Sequence, residues 1–324
     1  MKINNKKPYV FADYAYGAIA LSTKKIIKNE KGVLHNKNPE YIHQMRVGLR
    51  RLRSVLIGFY PALKLPKLVD EKKIGKVAQI LGKKRDNDVL KENLTKYYYH
   101  FLNDGEKKIC DQFMEKLDNK NKDNQNKIIK VLQGKEYQNI KYSLKKWLKE
   151  PQFNLIASLP ITEVAHNLII PQISKLHLQS GWFVGTKIDQ NYQITIKEDY
   201  TLEEVKNLLE EEKEIIHELR KEAKKTRYQM DLLTDCYGQP YHDYLNLIVN
   251  VQEILGNIQD NAILLNQIKK EIGKNWQKKL PNLDILISNN QRQQWLNWRK
   301  IQQLFLLDNQ NMYEHNLLML KKDN

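Results

Sequence analysis

Apolar residues recur at three- and four-residue spacing through most of this 324-residue chain, while glycine (13) and proline (9) are too few to support frequent turns. The pattern predicts an all-α fold. Helices are expected over 10–30, 39–60, 67–101, 105–119, 126–149, 161–179, 201–237 and 241–272, with two more after 290. The stretch PQFNLIASLP, bracketed by Pro151 and Pro160, breaks the pattern and suggests halves of 1–150 and 151–324. In GWFVGTKIDQNYQITIKEDY, at 181–200, Tyr192, Ile194 and Ile196 alternate with polar residues. A short strand or hairpin is expected there, as an insertion in the second half. The polar run NKNKDNQNK at 119–127 lacks apolar spacing and reads as an exposed loop.

The chain also carries an internal repeat. HQMRVGLRRLR at 43–53 aligns with HELRKEAKKTR at 217–227, and LGKKRDNDVL at 81–90 aligns with LGNIQDNAIL at 255–264. Both alignments have an offset of 174 residues. Five positions of the second motif are identical, among them Gly82 with Gly256 and Asn87 with Asn261. Two independent motifs in one register point to a tandem repeat of one helical unit, packed about a pseudo-twofold axis.

At about 100° per residue, His43, Arg46, Arg50 and Arg53 fall within an arc of roughly 80° on a helix. Met45, Leu49, Leu52 and Leu56 fall together on a separate face, where a core is expected. The second copy repeats the arrangement, with His217, Arg220, Lys224 and Arg227 outward and Leu219, Ala223 and Met230 inward. Arg51, Lys221 and Lys225 widen the two stripes, and Lys84 and Arg85 of the second motif add charge beside the first. Residues 41–60 hold four arginines and no acid. A helix stabilised for its own sake would interleave opposite charges. Arginine also grips phosphate oxygens bidentately, whereas lysine acts as a mobile point charge. Asp86, Asp88 and Asp260 have the chemistry of metal ligands, but carboxylates beside arginines more often hold them in position, and Asp86 and Asp260 are assigned that supporting role. No metal and no cofactor are expected.

Charge agrees with an anionic partner. There are 54 Lys and Arg against 38 Asp and Glu, a net charge of +16 and a pI near 9.4. That total suits nucleic acid, acidic lipid, polyphosphate or a solvated surface equally well. Asp13 interrupts the short apolar stretch near the start, so no signal peptide is expected. No window approaches the roughly 20 apolar residues that cross a bilayer, so membrane insertion is not expected either. Cys110 and Cys236 stand far apart without a C-x-x-C motif, in keeping with reduced thiols and a cytoplasmic location.

The two HxxR segments resemble the hallmark of the conserved histidine α-helical domain (CHAD) family, H-x-x-R-x-x-x-[RK]-[RK]-x-R, and the segments at 81 and 255 match as well. The resemblance extends from about residue 8 to 310 and treats the chain as one such domain. It implies two four-helix-bundle-like halves around a basic cleft or pore, and non-catalytic binding of inorganic polyphosphate, often at polyphosphate granules. The binders it implies are His43, Arg46, Arg50, Arg51, Arg53, Arg85, His217, Arg220, Lys224, Lys225 and Arg227, with Lys84 and Lys221 adjoining. Many relatives carry an attached E-x-E-x-K domain, which is not found in this chain. Two alternatives remain. Nucleic-acid binding is allowed by the charge, although Trp147, Trp276, Trp295 and Trp298 sit where core packing is the commoner use. A metal-dependent phosphohydrolase is disfavoured, since no nucleophile or base accompanies the stripes.

Overall fold

The computed structural model describes residues 9–308. Its helices, in chain order, are α1 (Phe11–Leu34), α2 (Pro39–Gly58), α3 (Glu71–Asn93), α4 (Asp104–Gln133), α5 (Lys135–Lys149) and α6 (Ile161–His177). They continue with α7 (Leu202–Glu211), α8 (Lys213–Met230), α9 (Gln239–Ile272), α10 (Trp276–Lys279) and α11 (Pro281–Gln303). The fold is all-α; among the described residues the only sheet is a two-stranded antiparallel hairpin, β1 (Thr186–Ile188) with β2 (Ile194–Ile196), in the predicted excursion. No described helix is long and apolar enough to cross a membrane. The second helix expected after 290 lies largely outside the described residues.

The chain forms two compact units that are not contiguous in sequence. Among the described residues one comprises 9–89 with 116–169, the other 90–115 with 170–308. These units follow packing, whereas the expected halves of 1–150 and 151–324 follow a break in apolar spacing, so 90–115 falls in the first half but in the second unit.

In the first unit α1 packs along α2. A Cβ at Gly48 would lie 2.9 Å from Ile26 and 3.1 Å from its backbone nitrogen, so glycine lets the two helices approach. Asn38 starts α2 by accepting from the Glu40 amide at 2.8 Å, and Pro39 follows in the first turn, where it costs no hydrogen bond. Met45, Leu49, Leu52 and Leu56 are buried, as their spacing requires. Trp147 is also buried and donates to the Lys64 carbonyl at 2.9 Å.

The 119–127 run is not a loop; it lies inside α4. Asn121 and Gln125, one turn apart, are both buried. They pack through hydrogen bonds, so the segment has a buried face without apolar residues to mark it.

In the second unit α8 packs on α9, and α11 packs on both α7 and α9. The single helix expected over 201–237 breaks at Glu212 and ends at Met230. Neither glycine nor proline marks the break, so apolar spacing runs through it. The hairpin segment is fastened to α11. Trp182 stacks between Phe305, at 3.6 Å, and Trp298, at 5.3 Å. Arg299 donates to the Val184 and Lys197 carbonyls at 3.2 Å each. Trp276, Trp295 and Trp298 are buried, as is Trp182.

Candidate functional site

The first stripe runs along the seam between α2 and α3. His43, Arg46, Arg50 and Arg53 are all half-buried and Arg51 is exposed. Helix α3 passes antiparallel beside them and offers small residues and carboxylates. Arg46 lies over Gly82, where a Cβ would come within 2.7 Å of its Nη1, and donates to Asp86 Oδ1 at 3.4 Å. Arg53 lies over Gly75, where a Cβ would come within 3.3 Å of its guanidinium, and donates through Nε to Glu71 at 2.6 Å. Two glycines seven residues apart thus seat two arginines seven residues apart. Burial lowers the Arg46 pKa, Asp86 opposes this, and Arg50 and Arg85 add repulsion; the guanidinium stays charged at neutral pH. His43 is held below the ordinary histidine value, first by burial; Glu40 opposes the shift, and Arg85, Arg50 and Lys25 reinforce it.

Lys84 is placed differently from the other predicted cations. It is only 5% exposed, and its ammonium donates to Asn36 and to Gln125, the latter at 2.8 Å. Gln125 in turn donates to the Val33 carbonyl at 2.8 Å. Next to it, Asn121 donates to Asp88 at 2.7 Å and accepts from Asn87 at 2.9 Å. The second repeated motif therefore joins α3 to α4 and to the α1–α2 turn. Asp88 serves this junction, and Asp86 serves Arg46.

The second unit repeats part of this plan. His217 Nδ1 and Gln259 Oε1 are 3.1 Å apart, the pair that corresponds to His43 with Arg85. Arg220 faces Gly256, as Arg46 faces Gly82, but more loosely, with the nearest atom 3.8 Å from a Cβ placed there. Asn261 bonds Asn290 of α11 at 2.8 Å, as Asn87 bonds Asn121 of α4. The charges differ, however. Lys221 donates to Glu218 at 2.8 Å, Lys225 lies 3.5 Å from Glu222, and Arg227 lies 4.0 Å from Asp231. Leu245 and Val249 occupy the positions equivalent to Glu71 and Gly75, so Arg227 has no matching seat. Lys224 and Asp260 are half-buried on α8 and α9.

A sequence model of the CHAD domain matches residues 17–268. The chain belongs to the CHAD domain family. It is similar to the crystal structure of the CHAD domain from the plant Ricinus communis, at 18% identity and a TM-score of 0.59, over 91% of this chain and 89% of that one. PptA from Streptomyces chartreusis gives 13% identity and a TM-score of 0.59, over 92% of this chain and 100% of that one. At these identities both likenesses show the CHAD fold alone. No curated protein matches the chain.

Spacing along the chain does not single out Glu71, Gly75, Asn121, Gln125 and Gln259 as neighbours of the stripes and of the second motif. The identities of Gly82 with Gly256 and Asn87 with Asn261 were the available signal. They mark where the HxxR helix and the next helix, respectively, find their neighbours.

Proposed function

We propose that this protein binds inorganic polyphosphate without catalysis, each unit using its HxxR stripe. The observation that carries the reading is the seam of α2 and α3. His43, Arg46, Arg50, Arg53 and Arg85 line one half-exposed strip, and the carboxylates along it, Asp86 and Glu71, are bonded to stripe arginines. The carboxylates hold Arg46 and Arg53 extended before any ligand arrives, which reduces the side-chain entropy lost on binding. A strip of roughly 15 Å, from residue 43 to 53 at 1.5 Å per residue, spans several phosphates of a linear chain. The second stripe, with its acids, is the weaker of the two. We infer from this reading a cytoplasmic protein that associates with polyphosphate granules.

Nucleic acid is the competing ligand. Trp147, Trp276, Trp295 and Trp298 are buried and offer no stacking surface, which favours a ligand made of phosphate alone. The test is a titration with polyphosphates of defined length, repeated with RNA as competitor. Arg46→Gln combined with Arg220→Gln should weaken binding at least about tenfold and lower the salt slope by about one for each phosphate no longer neutralised. Asp86 is 65% exposed, so water replaces its partner and the fold survives. Normal binding by the double variant, or RNA that long polyphosphate fails to displace at equal phosphate concentration, would remove the stripes from the reading.

A further inference from the structure

The second unit contains a cavity of about 520 Å³ where α7, α8 and α9 meet, with α11 beneath. Its size falls within the roughly 300–1,000 Å³ of small-molecule sites. The composition is mixed in a way that a polyanion does not require. Leu209, Ile216 and Ile258, all buried, supply an apolar floor. Gln259, Gln291 and His217 supply neutral donors and acceptors above it. Lys206, Lys213 and Lys269 stand at the rim. Lys213 is paired with Glu210 at 3.1 Å, whereas Lys206 and Lys269 have no carboxylate partner among the described residues.

Gln291 is the decisive side chain. It is 7% exposed, lines the cavity, and has no hydrogen-bond partner among the described residues. Neither amide atom is among the described side-chain atoms cut off from solvent, so the carboxamide opens to the cavity and is available to a ligand. Its carboxamide offers a donor and an acceptor side by side, the pattern presented by the edge of a nucleobase. His217 adds to this. Nδ1 lies 3.1 Å from Gln259 Oε1, which leaves Nε2 for a ligand.

We propose that this cavity binds a nucleoside phosphate. The aliphatic floor takes the planar face of the base, Gln291 and His217 read its edge, and Lys206 and Lys269 hold the phosphates. Glu214, also at the rim, accepts from the ribose hydroxyls. An acyl chain has no use for the amides, and polyphosphate has none for the floor. The first unit differs at the key position, since Arg85 stands where Gln259 does here. A cation beside the histidine favours phosphate; a neutral amide admits a base. The site shares His217 with the second stripe, but Gln291, Lys206 and Lys269 lie outside both stripes, so the proposal does not rest on the polyphosphate reading.

Calorimetric titration with ADP, GDP and inorganic pyrophosphate tests it. At least one nucleotide should bind once per chain and at least tenfold tighter than pyrophosphate. Gln291→Leu should weaken that nucleotide about tenfold, the loss expected for one hydrogen bond, and leave long-chain polyphosphate binding unchanged. Lys269→Glu, on an exposed position that does not risk the fold, should weaken the nucleotide about fivefold by removing an attraction for its phosphates. Arg220→Gln, in the neighbouring stripe but outside the cavity lining, should leave nucleotide binding intact, which separates this site from the stripe. If both nucleotides bind no tighter than pyrophosphate, or if Gln291→Leu and Lys269→Glu both bind the nucleotide normally, the proposal fails.

Discussion

Alanine at Gly82 and at Gly256, introduced separately, tests whether the glycines of the repeated motif exist to seat the HxxR arginines. Both lie inside helices, α3 and α9. There, alanine gains about 1 kcal/mol over glycine through backbone entropy. The costs differ. At 82 the new methyl would meet Arg46 Nη1 at 2.7 Å, so the guanidinium tip must swing away from Asp86. That ion pair involves a carboxylate that is 65% exposed, so losing it costs about 0–1 kcal/mol. At 256 the nearest atom, Arg220 Nε, would be 3.8 Å away, an ordinary separation with nothing to displace. Gly256→Ala should therefore stabilise by about 1 kcal/mol, and Gly82→Ala by less, down to about zero. Polyphosphate affinity should fall severalfold in Gly82→Ala alone. Urea denaturation followed by circular dichroism gives the stabilities, and titration gives the affinities. Equal stabilisation by both, with normal binding by Gly82→Ala, would show that the glycine does not position Arg46.

Other expectations concern the histidine and the buried polar junction. Burial holds His43 below its unfolded value near 6.5. On acidification the unfolded chain protonates first, so the stability His43 contributes is present above about pH 6.5 and is lost as pH falls toward the lowered native value. A bound polyanion reverses the preference and takes up a proton. Polyphosphate affinity should therefore rise as pH drops from 7 to 5, by at most about tenfold per pH unit for one group, and His43→Gln should flatten the profile; an unchanged slope excludes His43 as the group. Lys84→Met strands Gln125 and Asn36, which bond its ammonium. It should cost about 1–3 kcal/mol in denaturation while the folded fraction binds polyphosphate normally; the reverse outcome would return Lys84 to the ligand site. Asn121→Leu breaks two hydrogen bonds that join α4 to Asn87 and Asp88 of α3. It should destabilise by a similar amount, about 1–3 kcal/mol, in spite of added apolar surface; a more stable variant would mean that the polar packing of α4 is incidental.

Much of the candidate site was legible from order along the chain. The 3.6-residue period separates His43, Arg46, Arg50 and Arg53 from Met45, Leu49, Leu52 and Leu56 within a single helix, and the 174-residue offset announces a second copy. Both are local or self-referential patterns, which one sequence can reveal. The particular partners were less legible. Asp86 is expected from the sequence to hold an arginine, but not which one, and Glu71 comes from another helix at no spacing that a helix or strand would explain. Helix α4 hid its buried face for a related reason. Asn121 and Gln125 are at helical spacing, but their partners are polar, so no hydrophobic stripe betrays them.

The sequence by itself determined the helical class, the two basic stripes and the faces they leave for the core, because these follow from the angle between successive residues in a helix. The tertiary structure decided which cations the stripes keep exposed. Packing α3 against α2 seats Arg46 and Arg53 on glycines beside carboxylates, and draws Lys84 inward. In the second unit it leaves an amide, Gln291, lining a cavity. Those outcomes depend on which distant segments meet, and desolvation and pairing at the meeting point fix whether a charge serves the fold or a ligand.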